Sequence, residues 1–195
     1  MAHKLRRYRW DLAESSMSME DIMKRLVVFA FLVSALLANA AWATDVMNNK
    51  YGTIAISASG IVTKGSELVY FEGIVPPGKE SMGTVTFTTG DLISGTLEGG
   101  GIFSHVDSSF IVVGNGVAGA PKGLIFAGVF DGQIHWTLVS QSGQKLVFKL
   151  RGNITGVLYT GETVSFETTQ TITTTAGQLG NGIAHIVFGK VVSHL

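Results

Sequence analysis

The sequence predicts an all-β protein, an antiparallel β-sandwich or jelly-roll, with a closed β-barrel as the alternative. Two observations predict this class. Gly provides 25 of the 195 residues and Pro only 3, while Thr, Val and Ile are common, which is typical of sheets joined by turns. After residue 43, short apolar or alternating segments are separated by turn residues, and none has helical spacing over three turns. Such a chain must pack two sheets together or close one sheet on itself.

The strand assignment follows the alternation of apolar and polar residues. In the segment GTVTFTTG, Val85 and Phe87 face one way and the intervening threonines face the other. Ten segments have this character or are continuously apolar: Thr53–Ser59, Glu67–Gly73, Thr84–Thr89, Leu92–Leu97, Ser109–Val113, Leu124–Phe130, Gln133–Ser140, Gln144–Thr155, Thr163–Thr175 and Ile183–Val192.

The N-terminal 43 residues differ from the rest of the chain. Met23, Lys24 and Arg25 give a basic start, and the apolar run LVVFAFLVSALL follows. Ala41 and Ala43 then form an A-x-A cleavage site. These are the three parts of a secretory signal peptide, and the apolar run is short for a membrane span of about 20 residues.

The predicted organisation therefore has three parts. Residues 1–22 are a start-site extension or an extended basic region, residues 23–43 are a signal peptide, and residues 44–195 form a single all-β domain. Cleavage is expected after Ala43, with Ala40 as the other option, and an uncleaved anchor is the alternative. We expect a protein secreted to the periplasm or the extracellular space, with no membrane attachment after cleavage.

The charge and the cysteine content indicate which classes of partner, and which kind of source, to expect. The chain has a formal net charge of zero, so it lacks the basic surplus of nucleic-acid-binding proteins. It has no Cys and thus no disulfide, and because exported eukaryotic domains often carry disulfides, a bacterial source is favoured. We expect no nucleic-acid partner and no cofactor.

The segment GVFDGQIHWTLVSQSGQKLVF, residues 128–148, raises the question of catalysis. Asp131-Gly132 between two alternating runs predicts a two-residue hairpin turn, and Gln141–Gly143 predicts a three-residue loop. This register places a large apolar set on the core face: Ile125, Ala127, Val129, Ile134, Trp136, Leu138, Leu146, Phe148 and Leu150. No carboxylate is placed to orient His135, so no catalytic residue is predicted here.

The opposite face of this meander is the best candidate for ligand binding. It combines aromatic area with positive charge through Phe126, Phe130, His135, Lys149 and Arg151. Such a surface suits a sugar or an anionic polymer. The alternative is that another strand or a second subunit covers the two Phe residues.

Other site types have little support. His105 and Asp107 are close in sequence, but two ligands do not make a metal site, and no metal is predicted. The Gly-rich loops lack the Gly-Lys-Ser/Thr ending of a phosphate loop. A glycoside hydrolase would need two carboxylates within roughly 5–10 Å, drawn from Glu67, Glu72, Glu98, Asp107, Glu162 or Glu167.

One segment carries a resemblance. The run GVFDGQIHWTLV, continued by KLRGNITGVLYTGETV from Lys149 to Val164, resembles a segment of uncharacterised secreted bacterial β-sandwich proteins, over roughly Gly95 to Thr175. The resemblance implies the fold and export. It implies no activity and no site residues.

The sequence thus favours a secreted, non-enzymatic protein, an extracellular or envelope module that binds a carbohydrate or cell-surface polymer or serves a structural role. One alternative is a small secreted hydrolase acting on a polysaccharide. The other is a structural subunit that assembles with itself as a homo-oligomer.

Overall fold

The computed structural model describes residues 44–78, 80–179 and 183–193. Within these residues the fold is all-β, with no α-helix and two short 3-10 turns at Val117–Gly119 and Ala176–Gln178. Consequently, no described helix is long and apolar enough to span a membrane. The predicted signal peptide, residues 23–43, and the segment before it lie outside the described residues.

Twelve strands are present in the described part of the chain. They are β1 (Thr44–Lys50), β2 (Gly52–Ser57), β3 (Gly60–Thr63), β4 (Ser66–Phe71), β5 (Gly83–Thr88), β6 (Leu92–Thr96), β7 (Gly100–Phe103), β8 (Ser109–Asn115), β9 (Lys122–Ser142), β10 (Lys145–Leu158), β11 (Thr163–Thr175) and β12 (Ala184–Ser193). The sequence analysis missed β1, β3 and β7.

Eight of these strands close into an antiparallel barrel. The ring runs β1-β4-β5-β8-β9-β10-β11-β12 and returns to β1. Because β1 pairs with both β4 and β12, the ring has no free edge. The predicted sandwich is therefore wrong, and the closed barrel given as the alternative is confirmed.

The other four strands extend the longest members of the ring. β2 pairs with the start of β12 and with β3, and β7 pairs with β6 and with the Ile134–Trp136 part of β9. β9 pairs with β8 in its first half and with β7 in its second. Its 21 residues thus join the ring to this extension.

The hairpin predicted at Asp131-Gly132 is wrong. β9 continues through these residues, with Gly132 at φ 87°. Its pairing with β10 slips between Arg151–His135 and Asn153–Asp131, so extra residues of β9 bulge out at this point. A Gly at positive φ occurs in one class of β-bulge as well as in the tight turns of hairpins, which is why the Asp-Gly pair fits either structure.

The second predicted turn is close to the observed one. The turn is made by Gly143 and Gln144, and Lys145 pairs with Ser142. Phe148 lies opposite Leu138 and Leu150 opposite Trp136, a shift of two residues from the predicted register. Since a shift of two preserves the face of every side chain, the predicted core face is correct here.

Aromatic side chains fill the barrel interior. Phe87, Phe110 and Phe130 meet with ring centroids 5.9–6.2 Å apart. Further along β9, Trp136 stacks on Phe148 at 4.2 Å and donates a hydrogen bond from Nε1 to the Leu97 carbonyl at 2.9 Å. Offset and edge contacts of this kind add to the stabilisation from burial.

A polar cluster also lies inside the barrel. Asn49 and Gln170 exchange two side-chain hydrogen bonds of 3.0 and 3.2 Å. Asn49 also donates to Ser66 at 2.7 Å, and Gln170 donates to Thr168 at 3.0 Å. The two amides are essentially fully buried, so these bonds offset the cost of removing them from water.

Gly189→Ala is expected to destabilise the protein by about 1–3 kcal/mol, the usual cost of overpacking. A Cβ at this position would overlap the amide oxygens of Asn49 and Gln170. Gly177→Ala is the matched control, since a Cβ there meets nothing within 4 Å. Urea unfolding of both variants checks the prediction, and equal midpoints would contradict it.

Candidate functional site

A depression on the outer face of β9, β10 and β11 is the candidate site. Its volume is about 640 Å³. The strands present alternate residues outward there, and the lining consists of Gln133, His135, Thr137, Lys149, Arg151, Gly152, Asn153, Glu167 and Thr169. We call this surface the β9–β11 groove.

Strand register sets the arrangement of the groove. His135 lies opposite Arg151, which in turn lies opposite Thr169. The next outward row joins Thr137 to Lys149. Cross-strand partners have Cβ atoms about 4.5–5.5 Å apart, so the imidazole, guanidinium and ammonium groups lie on adjacent positions of one surface.

Glu167 fixes the Arg151 side chain. Arg151 donates from Nε to Oε1 at 2.9 Å and from Nη2 to Oε2 at 2.7 Å. The hydrogen bond and the charge of Glu167 raise the pKa of Arg151 above its usual value. This bidentate contact holds the planar guanidinium in one orientation while 64% of the side chain remains exposed.

Lys149 provides a second cation. Its side chain makes no ion pair or hydrogen bond with another described residue. Arg151 is matched by the carboxylate of Glu167, so the ammonium of Lys149 is the unmatched charge of the groove. Its lining therefore favours a ligand that carries negative charge.

The five residues of the predicted binding face do not all lie on one surface. The structure brings together His135, Lys149 and Arg151, as the sequence analysis expected. Phe126 and Phe130 lie elsewhere, 0% and 1% exposed inside the barrel, so their assignment to the outer face is wrong. A hairpin at Asp131 would have turned them outward, whereas a continuous β9 keeps them on the same face as Trp136.

Six groove residues were not predicted as binding residues: Gln133, Thr137, Gly152, Asn153, Glu167 and Thr169. Glu167 was considered only as a hydrolase carboxylate. Its place beside Arg151 depends on the β10–β11 register, which pairs Glu167 with Asn153 and leaves no signal in the sequence of either strand alone.

Acidic groups and possible metal ligands are sparse. Asp131 is two strands from Glu167, since both pair with Asn153, and its Oδ2 accepts a hydrogen bond from the Thr155 hydroxyl at 3.4 Å. In the described part of the chain no three His, Asp or Glu side chains are grouped as metal ligands. His105 and Asp107 thus gain no third ligand among these residues.

No protein-family model, curated protein or solved structure matches this chain.

The Arg151–Glu167 pair is expected to contribute about 0.2–1 kcal/mol of coupling free energy, because exposed ion pairs are weak. A double-mutant cycle with Arg151→Ala and Glu167→Ala, followed by urea unfolding, measures this coupling. It should fall further at about 1 M NaCl, where charges are screened over a few ångströms. A coupling that salt leaves unchanged would contradict the assigned ionic contact.

Proposed function

We propose that this chain is an exported, non-enzymatic binding protein whose β9–β11 groove recognises a carbohydrate polymer bearing carboxylates. One observation carries the proposal. The groove is lined by amide, hydroxyl and imidazole groups around a guanidinium whose orientation is fixed by Glu167. This set matches a ligand with many hydroxyl groups and a negative charge.

The chemistry of Arg151 supports recognition of a carboxylate. Glu167 engages Nε and Nη2, and no described residue accepts a hydrogen bond from Nη1. Guanidinium N–H groups and a neighbouring ammonium are the usual partners of carboxylates in proteins. Lys149 lies two residues away on the same strand face, so both cations are available to one acidic sugar.

Amide and hydroxyl groups provide the contacts for the neutral part of the ligand. Gln133 and Asn153 each offer a donor and an acceptor, as do the hydroxyls of Thr137 and Thr169. Sugar hydroxyls also donate and accept. With Phe126 and Phe130 inside the barrel, aromatic stacking has no part in the proposal.

The contacts of Glu167 support the non-enzymatic assignment. Both of its carboxylate oxygens accept hydrogen bonds from Arg151, so the carboxylate is held against the guanidinium. Asp131 lies across two strand spacings from Glu167, about 9.5 Å between backbones, and it is not part of the groove lining.

Export is supported by the sequence of residues 23–43, with its basic start, apolar run and A-x-A site. An exported protein encounters extracellular and envelope polymers, many of which are acidic polysaccharides. A bacterial periplasmic or extracellular location is part of the proposal.

The test uses the full chain, expressed with its own N-terminal segment and purified after export. Calorimetric titration with oligogalacturonate and with its methyl ester compares two ligands with the same sugar backbone, of which only the first carries ionised carboxylates. The acid form should bind, and Lys149→Ala/Arg151→Ala should weaken binding by about tenfold to a hundredfold, the loss expected for charge-assisted hydrogen bonds.

Lys145→Ala is the matched control. Lys145 lies on the same strand and the same face as Lys149, but outside the groove lining. Its replacement should leave binding unchanged. The proposal fails if neither ligand binds, or if the Lys145 and Lys149/Arg151 variants weaken binding equally.

A further inference from the structure

A second part of the outer surface is apolar. Leu124, Val129 and Val157 are 45–55% exposed, and Ile111 and Val113 are 36% and 39% exposed. Their strands are adjacent, with Val113 opposite Leu124, and with Ile111 and Val157 both opposite Ala127. We call six residues of β8, β9 and β10 the apolar patch: Ile111, Val113, Leu124, Ala127, Val129 and Val157.

The rows bordering the apolar patch are uncharged. Thr84 and Thr86 of β5 lie opposite Val113 and Ile111. On the other side, Thr163 and Ser165 of β11 lie opposite Val157 and Thr155. A contiguous apolar surface with a polar rim is the usual character of a protein-binding surface.

Two charged residues lie at the ends of the patch along β9. Lys122 precedes it and Asp131 follows it, and both side chains are exposed. Neither forms an ion pair with another described residue. They are nine positions apart along β9, which corresponds to about 30 Å.

We infer that the apolar patch binds the same patch of a second copy of this chain, about a two-fold axis near Ala127. A two-fold axis perpendicular to β9 exchanges the ends of the strand, so Lys122 of each copy faces Asp131 of the other. The two unpaired charges become two symmetric ion pairs.

The size of the surface agrees with a dimer. The five strands from β5 to β11 are separated by four spacings, about 19 Å in all, and together with the length along β9 they cover roughly 570 Å² on each copy. Two copies would bury roughly 1,100 Å² in total, at the low end of specific interfaces. The β9–β11 groove borders this surface, since Asn153 of its lining lies opposite Asp131, whereas its His135 and Lys149 end lies farther along β9 and β10, away from the patch.

Sedimentation velocity on the exported chain tests the inference. The wild-type protein should have twice the mass of one chain. Leu124→Asp/Val129→Asp should be monomeric, because both side chains would bring charge into the apolar contact, and an unchanged circular dichroism spectrum would show that the barrel remains folded. A wild-type monomer at every soluble concentration, or a dimer that this variant leaves intact, overturns the inference.

A charge exchange tests the two-fold alignment. Lys122→Glu should weaken the dimer at least tenfold, since each end would then bring two carboxylates together. Lys122→Glu/Asp131→Lys should restore it. Lys145→Glu, on the same outer surface but away from the patch, should have no effect. Failure of the double variant to restore the dimer overturns the alignment, and neither experiment depends on whether the groove binds a saccharide.

Discussion

The passage of β9 through Asp131-Gly132 without a turn is the constraint on which the rest of the structure depends. The first half of this strand closes the barrel against β8, and the second half pairs with β7 and provides one side of the groove through Gln133, His135 and Thr137. The bulge at Gly132 accommodates the extra residues of β9 that have no pairing partner on β10. With a turn there, β8 and β7 would pair with two different strands, and the inward face of the first half would be reversed.

Because the barrel is closed and its interior is filled, its outer surface is where a ligand would bind. Aromatic rings and the Asn49–Gln170 pair fill the interior, as expected for a barrel of eight strands, whose inside is just wide enough for side chains. Strand pairing on a curved sheet then places outward residues from β9, β10 and β11 beside one another. The groove is built from strands, which hold its side chains more firmly than loops would.

The sequence was most informative where alternation was unbroken. From Ile134 to Leu150 the inward residues were correctly separated from His135, Lys149 and Arg151, because a register error of two residues does not change the face. The prediction from the sequence failed at Asp131-Gly132, because an Asp-Gly pair fits a turn and a bulge equally well. That error placed Phe126 and Phe130 on the wrong surface, although Phe126, Phe130, Ile134 and Trp136 have the even spacing of one continuous strand face.

Long-range pairing could not be predicted. Closure rests on β1, a strand without alternation, which binds both β4 and β12. The strand β7 begins in a run of Gly residues that resembled a loop. Glu167 meets Arg151 only because the β10–β11 register aligns it with Asn153, and a one-residue slip would have turned it inward.

The most direct test of this account is to record nuclear Overhauser effects between backbone protons around Asp131. A continuous β9 predicts cross-strand contacts from Asn153 to Asp131 and from Ile154 to Phe130, together with contacts from Phe103 to Ile134. Contacts between Phe130 and Gln133 and between Val129 and Ile134 belong to a hairpin. Their observation would contradict the barrel, the inward placement of the two Phe residues and the groove that depends on them.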